Sequence, residues 1–206
     1  YFMLGLPTET EEDILAIGDL ANKIAAEYYE AVPKEKRNGR VQIGVSTSFF
    51  IPKPFTPFQW AKQDTKDEFL SKAYLTRKGI HAQLNQKSIK YSWHEADISI
   101  LECVMARGDR RLADVILSAY QSGAMYDAWS EHYHHDLWMA AFSEHNVDID
   151  FYTTRNRADD EVFPWDFIDP GVTKEYLLRE WKKAQAESIS PNCRSACQGC
   201  GTCRSF

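Results

Sequence analysis

Tyr1-Phe2-Met3-Leu4-Gly5-Leu6-Pro7-Thr8-Glu9-Thr10-Glu11-Glu12-Asp13 opens the chain. The first four residues are apolar and are bounded by Gly and Pro, a pattern that suits a buried parallel strand. Gly5-Leu6-Pro7 reads as a turn. Thr8 and Glu11 have capping-box spacing, and Glu9, Glu11, Glu12 and Asp13 put negative charge where a helix dipole favours it. Ile14, Ile17, Ala21, Ile24, Ala25 and Tyr28 follow at helical spacing, so one helix face is expected to be buried. The helix should end near Pro33, with Gly39 marking the return loop.

Val41–Ile51 is the clearest strand. Val41, Ile43, Val45, Thr47, Phe49 and Ile51 fall on one face, and Gln42, Gly44, Ser46 and Ser48 on the other. A strand, a helix and a second strand in this order predict a parallel pair with a right-handed crossover. The second strand is lopsided. Its bulky face suits helix packing, whereas its small, polar face leaves room for a ligand or meets solvent. Ile51-Pro-Lys-Pro-Phe-Thr-Pro-Phe-Gln-Trp60 follows. Its three prolines forbid regular pairing, so the run predicts a stiff aromatic loop at the C-terminal end of the strand, where α/β sheets bind ligands.

The texture changes after Trp60. Helices are predicted over 64–84 with Asp64 as cap, 97–107 ending at Gly108, from Asp109 to Gly123, 127–146, and 173–187. Leu112, Val115, Ile116 and Ala119 should be buried in the third of these. Tyr176, Leu177, Trp181 and Ala184 should share a face of the last. Ile89, Tyr91 and Trp93 alternate as a short strand. The organisation predicted is an α/β part over 1–63, a mostly helical part over 64–190, and a cysteine-rich stretch over 191–206.

Composition sets outer limits. A net charge of −6 argues against a broad nucleic-acid surface. No apolar run is long enough to span a bilayer. Opening inside a strand-like run, without Met, predicts a C-terminal piece of a longer polypeptide. The missing N-terminal part would then be its first partner. With no signal peptide read, a cytoplasmic location is expected.

Four of the five cysteines lie close together, as Cys193-Arg-Ser-Ala-Cys197-Gln-Gly-Cys200-Gly-Thr-Cys203. Clustered thiolates at C-x3-C-x2-C-x2-C spacing suit soft metal centres. Disulfides are the weaker reading, because cytosolic thiols stay reduced. Zinc sites prefer two C-x2-C knuckles with a longer spacer, so a [4Fe–4S] cluster is favoured over zinc. Arg194 and Arg204 flank the thiols and would lower their pKa values.

Gly5-Leu6-Pro7-Thr8-Glu9-Thr10-Glu11-Glu12-Asp13 resembles the strand-end motif GLPGETEED of radical SAM enzymes, with Thr8 in place of the usual Gly. The strand ending at Pro52–Pro57 resembles their sixth barrel strand. The likeness continues through Leu101–Arg111, Gly123–Trp129, Phe163-Pro-Trp-Asp166, Asp169-Pro-Gly-Val172 and Asn192-Cys-Arg194. In this order the motifs resemble the C-terminal half of an uncharacterised radical SAM group, some members of which carry a cobalamin-binding-like domain upstream.

The resemblance implies the last strand–helix–strand unit of a partial (β/α)6 barrel. It also implies S-adenosylmethionine bound above a [4Fe–4S] cluster and a 5′-deoxyadenosyl radical that abstracts hydrogen from a substrate, with cobalamin as a further cofactor of the longer protein. Gly5, Pro7 and Glu9, with Ser46 and Ser48 on the small strand face, are the cofactor-binding residues it suggests. The radical SAM signature C-x3-C-x2-C lies early in that family, whereas Cys193, Cys197 and Cys200 lie at the far end and are followed by Cys203. They are therefore read as a second, auxiliary or structural centre, with the catalytic cysteines expected upstream of Tyr1. The competing reading is a non-catalytic helical interaction module stapled by zinc.

Three other groups are weaker. His132, His134 and His135 lie beside Glu131 and Asp136, and His132 and Asp136 would share a helix face, but the HExxH arrangement is missing. Asp109 reads as a helix cap, with Arg110 and Arg111 able to clamp a carboxylate or phosphate. Cys103 reads as a small buried side chain.

Overall fold

The computed structural model describes residues 1–202. The elements are β1 (Phe2–Leu4), α1 (Glu11–Ala31), β2 (Ile43–Phe49), α2 (Lys66–His81), β3 (Ile89–Trp93), α3 (Ala96–Arg107), α4 (Leu112–Gln121), α5 (His135–Glu144), α6 (Ile149–Tyr152) and α7 (Lys174–Gln185). No helix among the described residues is long and apolar enough to cross a membrane. The chain divides into two compact units. One comprises 1–50 and 64–96, the other 51–63 and 97–206.

The first unit is a parallel sheet in the order β1-β2-β3. Val45, Thr47 and Phe49 of β2 point to one face, where Leu4 and Ile89 join them. Helices α1 and α2 cover that face and pack on each other. Ile14, Ile17 and Ala21 of α1 and Phe69, Ala73 and Ile80 of α2 complete the core. Phe69 stacks on Phe49 with ring centroids 4.4 Å apart, and burying one such ring stabilises by about 2–3 kcal/mol. The two helices cross at glycines. A Cβ on Gly18 would lie 2.8 Å from the carbonyl carbon of Gly79.

Several expectations shift here. The sheet includes β3, from the stretch 64–190 expected to be mostly helical; α2 leads into it, so the fold is two successive strand–helix–strand units. Strand β2 is shorter than 41–51, because the prolines that follow cannot donate to a ladder. Leu4 is buried, but Met3 is 44% exposed on the uncovered face. The cap of α1 is Thr10 with Asp13, not Thr8 with Glu11: the Thr10 hydroxyl accepts from the Asp13 amide at 3.2 Å, and the Thr10 amide donates back at 2.9 Å. Likewise Thr65 with Glu68, not Asp64, caps α2. Ile24 is exposed, one turn beyond the buried Ala21.

The second unit has an apolar cluster of Leu101, Val104, Leu112, Val115, Ala119, Trp138 and Phe142, drawn from α3, α4 and α5. Gly108 lets α4 fold back on α3, since a Cβ there would meet Leu112 Cδ1 at 2.0 Å. Residue Ile116 of α4 faces outward. The helix expected over 127–146 is only His135–Glu144, preceded by turns over 126–133. Tyr126 stands at the start of those turns with φ +62, outside the helical region.

The proline-rich run 51–63 belongs to this unit. It carries a short 3-10 turn, Pro57–Trp60. Trp60 is buried against Phe163, and Phe58 meets Trp181 of α7 edge-on at 5.9 Å. Arg107, 1% exposed, donates to the carbonyls of Ala61 and Gln59 at 3.0 and 3.2 Å. Gln63 donates through its amide to Ser99 O and through its backbone to Thr153 O. A segment without regular structure must have its backbone satisfied by side chains, and these do so.

Candidate functional site

The loop after β1 is held from within. Gly5 stands at φ +91, and a Cβ there would lie 2.8 Å from the Phe69 ring. Its amide donates to both carboxylate oxygens of Glu9, at 3.0 and 3.1 Å. Lys72 then bridges Glu9 and Asp64, at 3.0 and 2.7 Å. Burial draws the Lys72 pKa down, but its bonds to Asp64 and Glu9 outweigh this and leave it raised. Glu9 is thus the clasp of its own loop. Pro7 is half-buried within the loop. Thr8 is exposed and stands at φ +68, a left-handed conformation natural to glycine and strained for a β-branched residue.

Ser46 and Ser48 lie on the sheet face opposite α1 and α2. Ser46 is in register with Ser92, Ser48 with Met3, and Gly44 with Lys90. This face is a strip of small and polar groups, with both serines half-buried.

The cysteine-rich stretch is strapped to the start of α7. The Thr173 amide donates to Cys200 O at 2.9 Å, Thr202 Oγ1 donates to Gly171 O at 3.3 Å, and Arg179 donates to Gln198 O. Gly199 and Gly201 both have positive φ, and a Cβ on Gly201 would meet Thr173 Cγ2 at 2.8 Å. Cys193 and Cys197 are exposed, Cys200 is half-buried, and none of the three is in a disulfide. Hydrogen bonds with the Thr202 hydroxyl and amide hold the Cys200 thiol below its ordinary pKa. Burial first, then negative charge from Glu180, Cys200 and Cys193, raises the Tyr176 pKa. Among the described residues no three metal-ligating side chains converge. Cys203 and Arg204 lie outside the described residues. The donor chemistry fits a soft metal: reduced thiols, one activated, on a backbone turned by two glycines.

The other candidates resolve into structural roles. Asp109 does not provide the helix cap position, which falls on Arg111. Its carboxylate takes the Arg111 guanidinium at 2.6–3.1 Å and the Tyr152 hydroxyl at 3.2 Å. The Arg111 bonds hold its pKa down at about 2. Arg111 is therefore engaged rather than poised for a substrate. His132 lies in the turns before α5, so it shares no helix face with Asp136; His135 meets the Tyr133 hydroxyl at 3.2 Å. Cys103 is fully buried, and burial pushes its thiol pKa up.

Sequence reasoning missed Lys72 and Gln59. Lys72 sits on α2 with no local pattern to mark it. Gln59 lies inside the proline-rich run, where periodicity is silent. Its Oε1 accepts from the Phe55 amide at 3.2 Å and from Trp165 Nε1 at 2.9 Å.

No family model matches the chain, and no solved structure matches it. An uncharacterised protein of Methanocaldococcus jannaschii is 28% identical over 147 residues, which are 71% of this chain and 29% of that protein. The chain therefore spans less than a third of the length of that curated relative.

Proposed function

We propose that the chain is the distal part of a radical SAM iron–sulfur enzyme, and that Cys193, Cys197, Cys200 and Cys203 hold an auxiliary or structural [4Fe–4S] centre. The observation that carries this reading is the backbone at Thr8. The motif that the loop resembles has glycine at this position, and Thr8 adopts the φ +68 conformation that glycine favours. A glycine-type backbone at the position where the motif has glycine supports this reading. The all-parallel sheet with one uncovered strip of Ser46, Ser48 and Ser92 supports the further reading that these strands belong to a partial barrel.

When bound, S-adenosylmethionine and its reducing cluster would supply a 5′-deoxyadenosyl radical. This chain's residues have simpler tasks. Glu9, Lys72 and Asp64 fix the strand-end loop, while Ser46 and Ser48 offer hydroxyls on the open sheet face. The cysteines that reduce S-adenosylmethionine, any cobalamin and the substrate site belong, in this proposal, to the longer polypeptide.

The test is metal analysis after anaerobic purification. Iron and inorganic sulfide should be present in equal amounts, and Cys193→Ser or Cys203→Ser should lower both. Given dithionite and S-adenosylmethionine, the same preparation should form no 5′-deoxyadenosine; turnover would move the catalytic cysteines into this chain. A colourless protein with one zinc would replace the cluster with zinc and favour the interaction module. Binding of neither metal, with all four thiols alkylated, would remove the metal site.

A further inference from the structure

Helix α4 is apolar on two sides. Leu112, Val115 and Ala119 are buried in the core of the second unit. Ala113, Ile116, Leu117 and Tyr120 recur at the same three- and four-residue spacing, so they form a second row along the helix. That row is open. Ala113 is exposed, and Ile116, Leu117 and Tyr120 are 44%, 53% and 61% exposed. A surface helix turns charge to water on its outer side, whereas a helix that is apolar all round is covered all round. In α7 of the same unit the exposed positions include Glu175, Arg179 and Lys182; the outer row of α4 has no such residue. Apolar exposure continues beyond the end of α4. Met125, Tyr126 and Trp129 are each more than half exposed, and Tyr126 meets Trp129 edge-on at 6.3 Å. Exposed apolar residues grouped in this way mark a surface that meets a partner.

The charge beside the row is mostly negative. Histidines aside, every charged residue from 112 to 154 is a carboxylate. Two of these border the row. Asp114 is exposed and stands one turn before Leu117 on α4. Ser118, next to Leu117, bonds His145 Nε2 at 2.7 Å, and Glu144 Oε2 lies 4.0 Å from the same nitrogen. A second carboxylate is thereby brought to the side of α4. Arg110 and Arg111 stand at the N-terminal end of the helix, and Asp109 takes up the Arg111 charge.

These two features select the occupant. An apolar row at helical spacing accepts the apolar stripe of another helix. Carboxylates along its side attract lysines and arginines, and repel both a second copy of this acidic stretch and an anionic lipid surface.

We propose that the outer row of α4 is a docking surface for a basic amphipathic helix of a partner protein. The partner's apolar stripe covers Ile116, Leu117 and Tyr120, and its cations meet Asp114 and Glu144. The inference does not rest on the reading of the cysteines or of the β1 loop.

Three short synthetic peptides test this: a helix of leucine and lysine with all leucines on one face, the same helix with glutamate in place of lysine, and a scrambled leucine–lysine peptide that lacks the apolar stripe. Each is titrated into the full 15N-labelled chain, and the amides of Ile116, Leu117 and Tyr120 are followed, with the fold of every variant read from the same spectra. The leucine–lysine helix should shift all three saturably, and the other two peptides should bind about tenfold more weakly or worse. Leu117→Ser, chosen because the side chain is exposed, should weaken binding of the leucine–lysine helix about threefold or more. Leu84→Ser, at an exposed leucine of the sheet unit, should leave it unchanged. Absence of a saturable shift in α4 with the leucine–lysine helix would overturn the docking surface. Equal binding of the glutamate helix would overturn the charge selection, and equal binding of the scrambled peptide would overturn the apolar contact. A dimer in sedimentation that Leu117→Ser abolishes would give the row to a second copy instead, and shifts of the same amides by phosphatidylglycerol vesicles would give it to a membrane; either result overturns the proposal.

Discussion

Both units bury hydroxyls, but among the described residues long polar side chains are buried in one of them alone. Among the described residues, the sheet unit buries three hydroxyls, Thr47, Thr76 and Ser88, and each has a near partner: Tyr91 OH, Lys72 O and Tyr29 OH. The other unit buries two hydroxyls as well, Ser99 and Thr153, and adds two guanidinium groups, Arg107 and Arg157, and two amides, Gln59 and Gln63. The difference follows from what each interior must satisfy. Strands and helices complete their own backbone bonding, so apolar packing suffices around them. A buried loop cannot do this, and long polar side chains must be brought in to meet its carbonyls and amides.

The largest expected effect breaks the loop-based interior. Arg107→Met keeps much of the volume but strips the donors from Ala61 O and Gln59 O. Stability of the second unit should fall by about 3 kcal/mol, because two carbonyls are left buried without partners. Hydrogen exchange resolved by segment should show lost protection over 51–63 and 97–202, with 1–50 and 64–96 retained. Equal loss in both would mean that the units do not differ as described.

A smaller effect breaks the packed interior. Gly18→Ala puts a methyl group 2.8 Å from the backbone of Gly79, which no rotamer change relieves. Overpacking outweighs the gain in helix propensity, for a net loss of about 2 kcal/mol. The loss should appear in the exchange of 1–50 and 64–96, the reverse of the Arg107 pattern.

The smallest effect has the opposite sign. Thr8→Gly removes an exposed β-branched residue from a left-handed conformation. Stability should rise by about 0.5–1 kcal/mol in urea unfolding. A drop would mean that the Thr8 side chain anchors the loop.

Much of the sheet unit was legible because its residues repeat. Alternation over Ile43–Phe49 and helical spacing from Ile14 to Ala25 report burial directly. What misled was competition among equivalent signals: Thr8 and Thr10 both begin plausible capping boxes, and only the strained turn at Thr8 decides between them. The alternation of Ile89, Tyr91 and Trp93 was visible, but partners for a parallel strand are distant in sequence, so its place beside β2 was not. In the second unit, Arg107 looked like the last turn of a helix and Gln59 like loop filler, because neither burial nor bonding of an irregular segment leaves a period. The cysteine spacing was plain, but its docking on Thr173 and Gly171 was not, since backbone bonds carry no residue signature.

The run 51–63 is inserted between β2 and α2, yet it folds with residues that come after 97. The chain therefore crosses between units three times, and neither unit is a continuous piece. As the polypeptide leaves the ribosome, Trp60 and Gln59 must wait for Arg107 and Trp165 before they can be buried. This long-range closure slows the second unit's assembly and leaves an aromatic, proline-stiffened segment uncovered meanwhile, a target for chaperones. A cut at either end of that run divides the sheet unit between two fragments, and a cut after 63 also separates Trp60 from the rest of its own unit.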